Sequence, residues 1–159
     1  MTKYTGENIL DLMSAYAGNR NAAVERLIVS SLIRDQKPVE LLEFGAGKGE
    51  FLFRLQKYDH VNVEAVEADE SFRKMLSGKC KTYSSLDECT KKYDGIYLID
   101  VLEHLENDVE YLKKIKGLLK EGGKVFVYVP AFPSLYSEFD RSIGHFRRYK
   151  KESLRSSLT

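Results

Sequence analysis

The sequence predicts an α/β protein built on a doubly wound, mostly parallel sheet with helices on both faces, and three observations carry that expectation. Apolar runs of strand length recur, over Val39–Phe44 and residues 61–67, 93–100 and 124–130. Segments with helical spacing separate them, and no junction carries a β-hairpin signal. The first run leads into a glycine-alternating loop, Gly45-Ala46-Gly47-Lys48-Gly49, and then into a helical segment, Glu50–Leu55. Strand, glycine turn and helix is how such folds open a nucleotide site at a strand's carboxyl end.

Length and composition set the bounds. The 159 residues fit one domain with a real core. Hydrophobic residues at 43% and charged residues at 31% match an ordinary globular chain. A formal net charge of +1 gives no global pull toward nucleic acid or membrane. The run Arg147-Arg148-Tyr149-Lys150-Lys151 is basic, but it also reads as a solvated helix start. No stretch approaches the roughly 20 apolar residues of a membrane span. The first seven residues lack the apolar core of a signal peptide. Cys80 and Cys89 lack metal-motif spacing, and two thiols without an export signal point to a reducing cytoplasm. Neither is assigned a catalytic role.

The N-terminal part carries two helical patterns. Ile9, Leu10, Met13, Tyr16 and Ala17 form one, and Val24, Leu27, Ile28 and Leu32 the other. Gly18-Asn19-Arg20-Asn21 interrupts them, so two helices are expected before the first strand. Pro38 ends the second, because proline disfavours helical geometry in the residue before it.

The spacing of the glycine loop separates its ligands. A dinucleotide fingerprint wants its third glycine or an alanine where Glu50 stands, and that carboxylate would repel a pyrophosphate. A Walker loop is absent. Glu67 ends the second run about 20 residues beyond the loop, where α/β folds put a carboxylate on ribose hydroxyls. One carboxylate can accept from both hydroxyls; the plainer alternative is a surface Glu at a strand end. Asp69 is placed to cap a helix that starts at Glu70. Residues 79–83 form a weak third strand. Val109, Leu112, Ile115 and Leu119 mark an amphipathic helix that Gly122-Gly123 ends before the fifth strand.

These motifs resemble those of class I S-adenosylmethionine (SAM)-dependent methyltransferases. The run E-F-G-A-G-K-G resembles the family's first motif, and V-E-A-D its second. The run Y-D-G-I-Y-L-I-D-V-L-E-H-L closely resembles the fourth-strand motif of small-molecule methyltransferases, and L-L-K-E-G-G-K-V-F-V-Y-V-P the entry to the fifth strand. The text P-A-F-P-S-L-Y-S-E-F-D, followed by G-H-F-R-R-Y, is similar to a loop found in one subgroup. The resemblance implies a Rossmann-like fold that binds SAM, with residues 1–37 as a helical cap and 38–159 as the core. It puts Glu43 near the ammonium of the cofactor. Gly45, Ala46, Gly47 and Gly49 would wrap the amino-acid part, and Glu67 and Ala68 the ribose. Ser84 and Ser85 stand where many relatives carry an adenine-binding Asp. Ile99 and Asp100 would meet the cofactor mainly through backbone.

On the acceptor side, His104 and His145 are candidates for a general base, since imidazole titrates near neutrality. Asp140 and Arg147 are candidates for acceptor binding, by position. The alternatives stay open: a histidine bonded near the next helix, and a loop pinned by ion pairs and aromatic packing. No metal set is read, although Glu103 and His104 are the pair that would contribute to one. Relatives continue past a helix over 151–158 into two edge strands that are missing here. An uncovered edge at 125–129 would then favour homo-oligomers. The expected partner is a small-molecule acceptor of O- or N-methylation. Nucleic acid is not expected, as the composition has no basic surface and the fourth strand lacks an N/D-P-P-Y/F sequel. The competing readings are a SAM-binding module without turnover and a nicotinamide-dependent oxidoreductase, the latter disfavoured by Glu50 and the L-E-H segment.

Overall fold

Alternating strand and helix signals give alternating elements. In the computed structural model, residues 6–33 and 35–157 are described, and side chains of the first helix from residue 17 onward. The order is α1 (Gly6–Leu32), β1 (Val39–Phe44), α2 (Glu50–Leu55), β2 (Val61–Val66), α3 (Glu70–Leu76), β3 (Thr82–Tyr83) and β4 (Tyr93–Ile99). Then come α4 (Asp108–Gly117), β5 (Leu119–Tyr128), α5 (Glu138–Ser142) and α6 (Lys151–Ser157). Five parallel strands form one sheet in the order β3-β2-β1-β4-β5. The order reverses direction between β1 and β4, which opens a crevice at their carboxyl ends.

Neighbouring residues on a strand face opposite sides of the sheet. Leu41, Val63 and Tyr97 therefore meet Val24, Ile28 and Leu32 of α1, with Leu52, Leu55 and Leu76 from α2 and α3. Leu42, Ile96 and Leu98 meet Leu112 and Ile115 of α4 on the other face. Strands covered on both faces read as continuous apolar runs, as β1 and β4 do.

Several boundaries depart from expectation. The two N-terminal helices are one, α1, and Gly18 lies within it. A helical glycine costs only about 1 kcal/mol relative to alanine. Burial of Val24 and Ile28 and the pairing of Glu25 with Arg54 of α2 hold the helix through that cost. The side chains of Ile9, Leu10, Met13 and Tyr16 lie outside the described ones. The third strand is only Thr82–Tyr83. The amphipathic helix stops at Gly117, so Leu119 and the Gly122-Gly123 pair belong to β5. There the register against β4 slips between Tyr93 and Gly95. Two small residues let the strand make this irregular step, since a Cβ on Gly123 would stand 3.0 Å from the Lys120 carbonyl. Asp69 caps α3 as expected, accepting from the amides of Ser71 and Phe72. Strand β5 is an edge of the sheet among the described residues.

Candidate cofactor cleft and acceptor face

The turn after β1 is shaped by its glycines. A Cβ on Gly45 would collide with Val101, so the loop can lie against the segment after β4 only without one. Gly49 has φ +83°, and a Cβ there would come within 2.7 Å of Leu76 and 2.8 Å of Phe53. Gly47 has φ +52° but is open, with nothing among the described residues within 4 Å of a Cβ position. Its backbone is thus left approachable by a ligand.

Beneath this loop Glu43 is buried, and the Tyr97 hydroxyl donates to its Oε2 at 3.1 Å. Burial pushes its carboxyl up to about 8, against the opposing effect of the Tyr97 hydrogen bond. Glu67 stands just past β2. Its Oε2 accepts from the Gly47 amide at 2.6 Å and its Oε1 from the Asp69 amide at 2.8 Å. Each oxygen retains a second lone pair for a ligand hydroxyl.

Gly45, Glu67, Ala68, Ser84 and Ser85 line one cleft of about 300 Å³. Its apolar walls come from Phe44, Val66, Leu86 and Tyr111. The rings of Phe44 and Tyr111 stack at 5.7 Å. Such a slot suits a flat heterocycle, with Glu67 at the ribose end. The Ser84 hydroxyl and amide are both committed to Glu88, which leaves Ser85 as the freer of the two serines. Glu43, Ala46, Gly47, Gly49, Ile99 and Asp100 lie outside this lining. The open backbone at Gly47, the half-committed Glu67 and the apolar slot fit a nucleoside with an amino-acid tail.

Sequence reasoning missed two contributors. Lys114 of α4 pairs with Asp87 at 2.8 Å, and both line the cleft. Arg20 of α1 pairs with Asp100 at the tip of β4 and lies over the Tyr128 ring at 4.8 Å. Asp100 has φ +52°, which turns the chain sharply there. Lys114 falls on the polar side of a recognisable amphipathic helix, but nothing local marks Arg20, whose partner is 80 residues away.

The loop after β5 folds back onto the segment after β4. Asp140 caps α5 by accepting from the Ser137 amide and hydroxyl, and it also accepts two bonds from Arg148 at 2.8 and 3.0 Å. The Arg148 guanidinium holds its carboxyl well below the usual range. With 1% exposure, Asp140 pins the loop and has no face toward a ligand, a correction to its expected role in acceptor binding. Arg147 is half-buried, donating to the Glu106 carbonyl at 2.7 Å and pairing with Asp108 at 3.1 Å, with about a third of its side chain still exposed. Tyr149 is buried and donates to Asp108 at 2.8 Å.

His104 and His145 come together, with ring centroids 4.6 Å apart. Nδ1 of His145 lies 3.1 Å from Asp140, and Nδ1 of His104 lies 3.2 Å from the Gly144 carbonyl. Both partners only accept, so in the neutral rings both Nδ1 atoms carry the proton and both Nε2 atoms keep a lone pair. Glu103 is fully buried beside them, and burial pushes its carboxyl up to about 7.

A model of the methyltransferase domain matches residues 16–158. The chain belongs to the methyltransferase-domain family. It is 27% identical over 107 residues to (S)-coclaurine N-methyltransferase of Papaver somniferum, covering 60% of this chain and 30% of that one. A crystal structure of coclaurine N-methyltransferase bound to N-methylheliamine and S-adenosylhomocysteine (SAH) superposes with TM-score 0.61 at 21% identity, over 69% of this chain and 36% of that one. The cyclase SpnF gives TM-score 0.70 at 20% identity, over 86% and 55%. A SAM-dependent methyltransferase from Archaeoglobus fulgidus gives 0.61 at 23%, over 87% and 66%. At these identities the solved structures speak for the fold. This methyltransferase domain spans about a third of the coclaurine enzyme and about half of SpnF.

Proposed function

We propose that this domain binds SAM in the cleft beside Glu67 and transfers its methyl group to an oxygen or nitrogen of a small-molecule acceptor. The observation that carries the reading is Glu67, a strand-end carboxylate tied to the glycine loop and open on the cleft side. SAM, when bound, supplies a methyl already activated on a sulfonium, so the chain's work is alignment and exclusion of water. Glu67 would accept from the two ribose hydroxyls, the Phe44–Tyr111 wall would hold the adenine, and the backbone at Gly47 would meet the amino-acid tail. Glu43, beneath the loop, would face the ammonium. Ile99 and Asp100 would close the inner end, and α1 would act as a cap through Arg20. His104 and His145 would face the acceptor and receive its proton at Nε2 as the new bond forms.

The test is calorimetric titration with SAH. Each charged hydrogen bond is worth about 1.5–3 kcal/mol, and 1.4 kcal/mol is tenfold in affinity. With two such bonds lost, Glu67→Ala should therefore weaken binding at least about a hundredfold, while NAD should not bind. Equal SAH affinity in parent and variant would remove the assignment. Turnover should then fall in His104→Ala and His145→Ala with SAH affinity retained. A second reading is cofactor binding without methyl transfer. The burial of Asp140 against Arg148 and the cap of α5 favours it, because it takes one polar group away from an acceptor. Full SAH affinity without turnover on any amine or phenol acceptor would decide for it.

A further inference from the structure

Glu103 is left unexplained by the cofactor cleft. It has no solvent exposure, and neither carboxylate oxygen accepts a hydrogen bond among the described residues. A carboxylate in that state is costly unless a cation or a metal answers it. Ligating atoms of Glu103, His104 and His145 all lie within 4.8 Å of one another. Nε2 of His145 is 3.9 Å from Oε1 of Glu103. The two imidazoles are held in the same tautomer, with Nδ1–H spent on Asp140 and on the Gly144 carbonyl. A carboxylate or carbonyl behind Nδ1, with Nε2 free in front, is the second layer that orients metal-bound histidines. Asp140 is itself fixed by Arg148 and the cap of α5, so this layer is rigid.

We propose that Glu103, His104 and His145 bind a divalent transition-metal ion, with Nε2 of each histidine and one oxygen of Glu103 as ligands. Two imidazoles and one carboxylate form a borderline donor set, suited to Zn²⁺, Co²⁺ or Fe²⁺ rather than to Mg²⁺ or Ca²⁺. Tetrahedral ligand bonds of about 2.0–2.2 Å put the ligand atoms about 3.4 Å apart, so the 3.9 Å gap between His145 and Glu103 closes by about half an ångström and a gap at the 4.8 Å limit of the cluster by about 1.4 Å, through side-chain rotation on the exposed His104 side. His104 is exposed, so the ion has an approach from solvent and keeps positions open on that side. The sequence alone pointed to no metal set, because His145 lies 41 positions from His104 and only the returning loop brings it in. The assignment does not rest on methyl transfer; with an ion bound, both Nε2 lone pairs are taken, so the proton-accepting role proposed above belongs to the ion-free domain.

Chelator-stripped protein is titrated with Co²⁺ and followed by visible absorption, with Zn²⁺ as competitor. One equivalent per chain is expected, with a low-coordinate Co²⁺ spectrum that Zn²⁺ displaces. Glu103→Gln keeps the size of the side chain and removes its charge; it should melt no lower than the parent and bind Co²⁺ at least about tenfold more weakly. His145→Ala should do the same to binding. His60→Ala removes the remaining histidine and should leave the signal intact. Blocking Cys80 and Cys89 should also leave it intact. Absence of the one-equivalent signal, its survival in Glu103→Gln, or its loss in His60→Ala would overturn the assignment.

Discussion

Single residues in this fold carry opposed electrostatic loads. Glu43 is the clearest case, a buried acid raised to about 8 by loss of hydration. Unfolded, it would titrate at about 4.3. Between those values the folded chain holds a proton that the unfolded chain has lost, so the stability from this group falls as pH rises from about 4 to about 8. Glu43→Gln cannot lose a proton. Its melting temperature should decline less than the parent's over that window, as followed by circular dichroism. A parallel decline in both proteins would show that Glu43 is ionised in the free domain. Glu67 and Asp69 were legible in the sequence because their roles are local, a strand end and a helix cap. Arg20 and Asp87 were not, because their partners are set by packing between distant elements.

Elements were legible where a period was long enough to count. Strands β1, β2 and β4 and helices α2 and α3 fall where the apolar pattern puts them. The failures share one cause. Gly18 and the Gly122-Gly123 pair look like punctuation, yet tertiary contacts carry a helix through the first and a strand through the second. Gly122 is left-handed but has open space around it among the described residues, whereas a glycine that is both left-handed and crowded is different. Gly49 begins α2 at φ +83° against Leu76 and Phe53. Gly49→Ala should cost about 1–2 kcal/mol from backbone strain alone, or about 2–8 °C of melting temperature. An unchanged melt would mean that the turn relaxes freely. In the loop after β5, Asp140 holds Ser137, His145 and Arg148 together. Asp140→Asn should open the loop to limited proteolysis near Phe139 and Phe146, both exposed, well before the sheet is cut. Equal protection would show that Tyr149 and Arg147 pin it unaided.

At the scale of the molecule, parallel strands aim every carboxyl end at one side, so the glycine loop, Glu67, Asp100 and the Glu103 cluster share a face although they run from Gly45 to His145 in the sequence. That convergence made the cofactor side readable from motifs. The acceptor side was less so, because the burial of Asp140 against Arg148 and Ser137 depends on how the loop after β5 returns. Strand β5 leaves its outer edge unpaired among the described residues, a template for a second strand. Sedimentation equilibrium of this domain should show a dimer that weakens on dilution. A monomer at all concentrations would mean that the charged and glycine-rich start of β5, from Lys120 to Lys124, is a sufficient guard.

The contact between Arg20 and Asp100 has a kinetic meaning. It joins the cap helix to the tip of β4, next to the loop where a ligand's tail would enter, and both partners are partly exposed. Such a pair is screened by salt. If passage of the ligand requires it to part, added salt should speed both entry and escape while leaving their ratio nearly constant. Arg20→Ala should already show the fast exchange at low salt. The gate would then set how long the cofactor stays, while Glu67 sets how much of it is held.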